Sequence, residues 1–188
     1  EREIAGQVRR SLAEAQAAGT VSGSLTKLFE SATRAAKDVG AKTALGARGR
    51  SIVSVALDIT GDMRGHGPAF YRQAKVVLIG TGAYAGTALA QLSERGVPDI
   101  AVFSGSGRAE QFVAERGGGA RPLRMDQLAE AFSQADLIIG CSGGNRQITA
   151  GEIRSLAGIE NRERPLAVID LALSHDFAPE VADLPGVD

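Results

Sequence analysis

The sequence predicts an α/β fold, a doubly wound parallel sheet preceded by a helical segment, and three observations carry that prediction. From Lys75 onward, short apolar runs alternate with helical stretches, which is the grammar of successive βαβ units. The clearest run, Val76-Val77-Leu78-Ile79, has no polar face, as a central strand covered on both sides requires. Directly after it comes a Gly-rich turn, Gly80-Thr81-Gly82, that leads into a helix. The bulk composition agrees: 188 residues with 44% hydrophobic and 23% charged are ordinary for a chain with a buried core.

Taken in order, the first third is helical. Ile4, Val8 and Leu12 make one apolar stripe, with Arg9, Arg10 and Glu14 off it, and Gly19 stops the run. Val21-Ser22-Gly23-Ser24 supplies a turn with N-cap hydroxyls, and a second helix puts Leu25, Leu28, Phe29, Ala32, Ala36 and Val39 on one face. Two helices make too small a core alone, so they are expected to belong to a larger unit. Residues 40–49 are a basic, Gly-rich connection with Lys42 and Arg48. Residues 51–59 fit both a β-branched strand and a helical face (Ile52, Val55, Ala56, Ile59), and are read as a helix. Residues 61–67 read as a linker, which divides the chain into 1–62 and 63–188. Strands are then expected at 76–79, 100–103, 121–123, 136–139 and 165–169, with helices at 83–93, 109–115 and 126–133.

Composition excludes several functions. Lys and Arg total 21 against 22 Asp and Glu, a net charge of −1, so the cationic excess that coats DNA is absent. Aromatics are 4% with no Trp, which leaves little for base stacking. One Cys builds neither a disulfide nor a Cys-rich zinc site, and His66 and His175 lie far apart, so no metal is expected. No apolar run reaches the roughly 18 residues of a membrane span, and Glu1-Arg2-Glu3 does not open a signal peptide; a cytoplasmic location is expected.

Gly80-Thr81-Gly82-Ala83-Tyr84-Ala85 matches G-x-G-x-x-A, a form of the dinucleotide fingerprint, in the strand–turn–helix context it needs. The first Gly serves the tight turn, the second admits a pyrophosphate to the main chain, and Ala85 lets the helix approach the sheet. Unpaired N–H groups at the helix start then face the phosphates. The bland alternative is a turn that only packs tightly. An NAD site wants Asp or Glu at the end of the second strand, whereas Phe103-Ser104-Gly105-Ser106-Gly107-Arg108 contains none. The hydroxyls of Ser104 and Ser106 with the Arg108 guanidinium suit a 2′-phosphate, so NADPH is expected over NADH; the competing reading is an ordinary turn before a solvated helix. Gly140-Cys141-Ser142-Gly143-Gly144 follows the fourth strand, so Cys141, Ser142 and Gly143 are expected beside the cofactor's ribose or nicotinamide. No base pairs with Cys141 in sequence, which makes it a small buried residue rather than a nucleophile. Asp170 and His175 reach the same cleft on this reading, without an acid–base role.

These residues resemble the glutamyl-tRNA reductases. Residues 1–8 look like the family's GE-x-Q-I-x-GQV segment, entered after its Gly. Leu28-Phe29-Glu30 with Ala35-Ala36-Lys37 looks like its L-F-x-x-A…K helix, and Asp170-Leu171-Ala172 with Asp176 and Pro179-Glu180-Val181 is similar to its D-L-A-x-P-R-D-I-x-P-x-V block. The resemblance covers essentially the whole chain. It implies a Rossmann-like NADP-binding domain and NADPH-dependent reduction of glutamyl-tRNA to glutamate-1-semialdehyde, opening tetrapyrrole (heme) synthesis. It further implies that a Cys in an upstream catalytic domain forms a thioester, so no catalytic residue is expected here and the chain alone is expected to be inactive. By position, Gly80 to Ala85 hold NADPH, and Glu1, Arg2, Glu3 and Gln7 match the substrate-contacting segment. Glutamyl-tRNA binding through other domains and a homodimer of the full-length protein are implied as well.

The chain departs from the family at several points. Glu3 replaces Gln, Gly40 and Lys42 replace the Arg and Glu of V-R-x-E-T, Ser174-His175 stands for Pro-Arg, and Ser104-Gly105-Ser106 for N-R-T. They mark a divergent branch. Two other readings stay open: a nucleotide-binding or redox-sensing module without chemistry, and an NADP-dependent dehydrogenase of the shikimate type. For the second, Lys37 and Lys42 are the nearby catalytic candidates, and neither sits in that family's motif.

Overall fold

The computed structural model describes residues 2–42, 51–144 and 146–188. They fall into two compact units, Glu1–Ile52 and Val53–Asp188. In the first, α1 (Arg2–Ala17) and α2 (Gly23–Lys42) are in contact, with Val8, Leu12, Phe29 and Thr33 half-buried. The α2 stripe expected from sequence is largely uncovered: Leu25, Leu28 and Val39 are exposed, because two helices cannot enclose both of their apolar faces. Helix α2 also runs through Gly40 to Lys42, whereas the sequence reading ended it before Gly40; the rest of the expected basic connection lies outside the described residues.

The second unit is a five-stranded parallel sheet of order β3-β2-β1-β4-β5, formed by β1 (Lys75–Ile79), β2 (Asp99–Phe103), β3 (Arg121–Leu123), β4 (Leu137–Gly140) and β5 (Ala167–Asp170). Alternate residues of β1 enter two separate cores. Val76 and Leu78 pack with α3 (Ile52–Met63), α4 (Ala83–Glu94) and α5 (Ala109–Arg116). Val77 and Ile79 pack with α6 (Leu128–Gln134) and α7 (Ala150–Ala157). This double coverage explains the unbroken apolar run. Pro122, which has no N–H to give, sits in the edge strand β3.

Three sequence expectations are corrected. The boundary falls at Ile52/Val53 rather than 62/63, because α3 is built into the sheet domain. Its Val53 and Leu57 are fully buried there, the Tyr71 hydroxyl donates to the Leu57 carbonyl, and Arg95 bridges to Asp58 at 2.7 Å. Gly61 is no linker residue: α3 runs through it, and a Cβ there would stand 2.7 Å from the Gly67 carbonyl oxygen. Helix α7 was not expected at all. Its signal was a capping box, in which Thr149 Oγ1 accepts from Glu152 N–H and the Glu152 carboxylate accepts from Thr149 N–H.

Behind the sheet, Arg162 holds the end of α6. Its guanidinium donates to the carbonyls of Phe132, Ser133 (2.9 Å), Ala135 and Ala157. Phe132 O also accepts from Ala135 N–H, and the guanidinium serves the other carbonyls that the helix end leaves over. Arg162→Ala is expected to lower stability by about 2–3 kcal/mol in urea unfolding, since it strands several half-buried acceptors. Arg162→Lys should recover only part of that, because an ammonium cannot fork.

Candidate functional site

Parallel register lines up the strand ends. Ile79 lies opposite Phe103 on one side and Gly140 on the other, and Gly140 lies opposite Asp170. The four turns that follow therefore open along one rim, the carboxyl edge. The chain leaves β1 toward β2 and β3, then returns to β4, so β1/β4 is the topological switch point where open α/β sheets bind ligands.

Gly80 begins the central turn with φ +115°, in the region where a side chain is strained. A Cβ there would lie 2.7 Å from both the carbonyl carbon and oxygen of Cys141, so this turn and the β4 loop touch main chain to main chain. Gly80 N–H donates to Phe103 O at 2.8 Å, and Cys141 N–H to Ile79 O at 2.8 Å. Gly82 caps α4 without any side-chain cap, and a Cβ there would meet nothing within 4 Å. Its outer face is open space beside uncapped amides. Thr81 Oγ1 is buried without a hydrogen-bond partner. Ala83 is exposed in the first turn of α4, Tyr84 packs at the edge of the core, and Ala85 is fully buried. Gly86, which the fingerprint does not specify, is a further close approach: a Cβ there would strike the Arg116 guanidinium.

At the end of β2, Ser104 Oγ and Ser106 Oγ are 3.0 Å apart, and Arg108 Nε donates to Ser106 Oγ at 2.9 Å. The two hydroxyls and the guanidinium expected from sequence are thus joined in one exposed cluster. No carboxylate pairs with Arg108 among the described residues.

Beyond β4, Cys141 is buried. Burial, then the charges of Asp176 and Asp170, push its thiol up to about 12. It is protonated at neutral pH and has no activating partner, which suits a packed residue rather than a nucleophile. At pH 8 its alkylation by iodoacetamide is expected to be at least about a hundredfold slower in the folded protein than in urea. The same shift has a sign for stability. Below the ordinary thiol value of 9.0 both states hold the proton; from there toward 12 only the unfolded chain loses it, so this contribution to stability falls as pH rises.

Asp176, which the sequence reading placed only in a motif, holds the loop after β4. It is 2% exposed and accepts from Ser142 N–H (2.6 Å), Ser142 Oγ (2.5 Å) and Gly143 N–H (3.0 Å). Asp170 accepts from Ala172 and Phe177 N–H, and its carboxylate is 3.4 Å from His175 Nδ1, so those two do meet at the rim. Glu1 lies outside the described residues; Arg2 and Glu3 fall in the first turn of α1 and Gln7 is exposed on α1, so these three belong to the other unit. A cavity of about 180 Å³ lies near Lys75, Asp99 and Arg121, at the amino ends of the strands, the wrong end for a dinucleotide.

Known proteins share this arrangement. Residues 67–188 match, and belong to, the domain family described as shikimate / quinate 5-dehydrogenase, and residues 1–43 match the N-terminal domain of glutamyl-tRNA reductase. Over its whole length the chain is 60% identical to a glutamyl-tRNA reductase of Micrococcus luteus and 54% identical to one of Renibacterium salmoninarum, covering 42% and 41% of them. The chain belongs to the glutamyl-tRNA reductase family. It spans about 42% of the length of the curated relatives it matches. Among solved structures, glutamyl-tRNA reductase from Methanopyrus kandleri matches all of this chain and 46% of its own, with TM-score 0.64 and 22% identity. The A chain of dipicolinate synthase from Bacillus subtilis matches 74% of this chain and 46% of its own, with TM-score 0.51 and 17% identity. Both share the fold. The two-part match separates this family from shikimate dehydrogenases proper, since residues 1–43 match the glutamyl-tRNA reductase N-terminal domain. No described helix is long and apolar enough to cross a membrane.

Proposed function

We propose that this chain is the NADPH-binding part, with the tail of the substrate domain, of an enzyme that reduces glutamyl-tRNA to glutamate-1-semialdehyde in tetrapyrrole synthesis. The observation that carries the cofactor assignment is the rim itself: an open face at Gly82 beside uncapped amides, one strand from a Ser104–Ser106–Arg108 cluster with no carboxylate. The residues fit the group. Gly82 leaves room where a Cβ would intrude, and Thr81 Oγ1 is a buried polar atom in want of a partner. NADPH, when bound, supplies a hydride.

This chain's own residues bind and orient. The amides at the start of α4 meet the pyrophosphate, favoured by the helix dipole. Ser104, Ser106 and Arg108 meet the 2′-phosphate with charge-assisted hydrogen bonds. The loop of Cys141, Ser142 and Gly143 borders the other half of the dinucleotide. Glu1, Arg2, Glu3 and Gln7 contribute to the substrate side. The nucleophile lies outside this chain, in keeping with a protonated, buried Cys141. The whole protein is proposed to act in the cytoplasm as a homodimer, taking tRNA through its other domains.

Titrating residues 1–188 with each cofactor is expected to give NADPH a dissociation constant at least about tenfold below that of NADH. Equal affinities, or none, overturn the cofactor assignment. Incubated with glutamyl-tRNA and NADPH, the same chain is expected to give no turnover; product would overturn the placement of the nucleophile elsewhere.

A further inference from the structure

We propose that Asp176 is a positioning residue that sets the conformation of the loop after β4, and through it the affinity for the nicotinamide half of the cofactor. The claim rests on the nucleotide-binding reading above. The fingerprint places the adenosine end at β2, so a dinucleotide crossing the switch point must lay its other half against β4 and β5. The loop met there is residues 141–144.

What holds that loop is a carboxylate from the next strand's turn. Asp176 takes both main-chain N–H groups of Ser142 and Gly143 and the Ser142 hydroxyl, while its own carbonyl accepts from Ile148 N–H at 2.8 Å. The carboxylate is buried and forms no ion pair among the described residues, so these donors are what replace water around it. Loop and carboxylate are therefore mutually dependent; removing either strands the other's buried polar groups. Gly140 makes the approach possible, since a Cβ there would stand 2.9 Å from Asp176 Cβ and 2.7 Å from the Phe177 ring. On its other face, the Cys141–Ser142 peptide abuts Gly80. That peptide is thus gripped between the fingerprint glycine and Asp176. The two amides point inward at Asp176, which leaves the cofactor to meet the remaining surface of the loop.

The Ser104–Ser106–Arg108 cluster shares no hydrogen bond with Asp176, and Gly80 keeps its own bond to Phe103 O. A loss of Asp176 must then be felt unequally along the cofactor. The test uses the full-length protein carrying Asp176→Asn, which keeps the side chain's volume but turns an NH₂ toward at least one of the loop's donors. The dissociation constant for NADPH is expected to rise about tenfold, and that for 2′,5′-ADP, which lacks the nicotinamide half, less than twofold. Equal weakening of both ligands shows a merely structural role and overturns the proposal, as does unchanged NADPH affinity. Wild-type protein that binds neither ligand overturns the nucleotide-binding reading itself, and the proposal with it.

Discussion

Gly82→Ala is expected to leave the protein folded and weaken NADPH binding by about 30-fold, whereas Gly80→Ala damages the fold and the site together. The two glycines belong to one motif but answer to different physics. Gly82 has φ −82°, which any residue adopts, and a Cβ there would touch no protein atom within 4 Å. Its want of a side chain serves nothing inside the chain. A methyl group would stand where the pyrophosphate approaches the uncapped amides of α4, at a cost of about 2 kcal/mol in close charge-assisted contact. The melting temperature should move by no more than about 2 °C. Gly80 is the opposite case. Its φ of +115° is strained for alanine, and the new Cβ would collide with the Cys141 main chain at 2.7 Å. Strain of about 1–3 kcal/mol adds to that collision, and a melting temperature lower by roughly 6–12 °C is expected. Thermal melts and fluorescence titration with NADPH check both variants. Wild-type affinity in Gly82→Ala would show that the open face is not the phosphate site.

Arg108→Ala is expected to weaken NADPH by about 30-fold at low salt while changing NADH less than twofold. The guanidinium lies at the end of a short chain, Ser104 to Ser106 to Arg108, with spacings of 3.0 and 2.9 Å, and its charge is not neutralised by a described carboxylate. A dianionic 2′-phosphate would supply the missing charge, and hydrogen bonds to charged groups are worth about 1.5–3 kcal/mol. Because the cluster is exposed, the effect should shrink in 0.5 M salt, where screening is short-ranged. Ser106→Ala, which removes the link between hydroxyl and guanidinium, should cost less, about threefold. Parallel loss of NADPH and NADH would mean that Arg108 supports the loop and reads no phosphate.

Much of the sheet was legible because burial on both faces leaves a plain mark: the run 76–79 is apolar without interruption, and the turns after β1, β2 and β4 are glycine- or serine-rich. The β4–β5 crossover was not legible as a helix. Helix α7 is eight residues long and carries Gly151 in its first turn, so periodicity had little to act on; only the Thr149–Glu152 capping box announced it. Helix α3 was recognised as a helix but assigned to the wrong unit. The face read from sequence was also the wrong one: Ile52, Val55 and Ile59 are exposed, and Val53 and Leu57 face the sheet, because a helix apolar nearly all round does not say which side is covered.

By itself the sequence determined the class of fold, the place of the glycine-rich turn after β1 and the residue types available at the end of β2, because these depend on local backbone freedom, on periodicity and on residue type. Only the tertiary structure decided that α3 joins the sheet domain, that Gly80 is pinned by the Cys141 main chain, and that Asp176 reaches back 34 positions to hold Ser142. Those are contacts between segments remote in the chain. Such contacts exist only once the parallel register has brought the strand ends to a common rim.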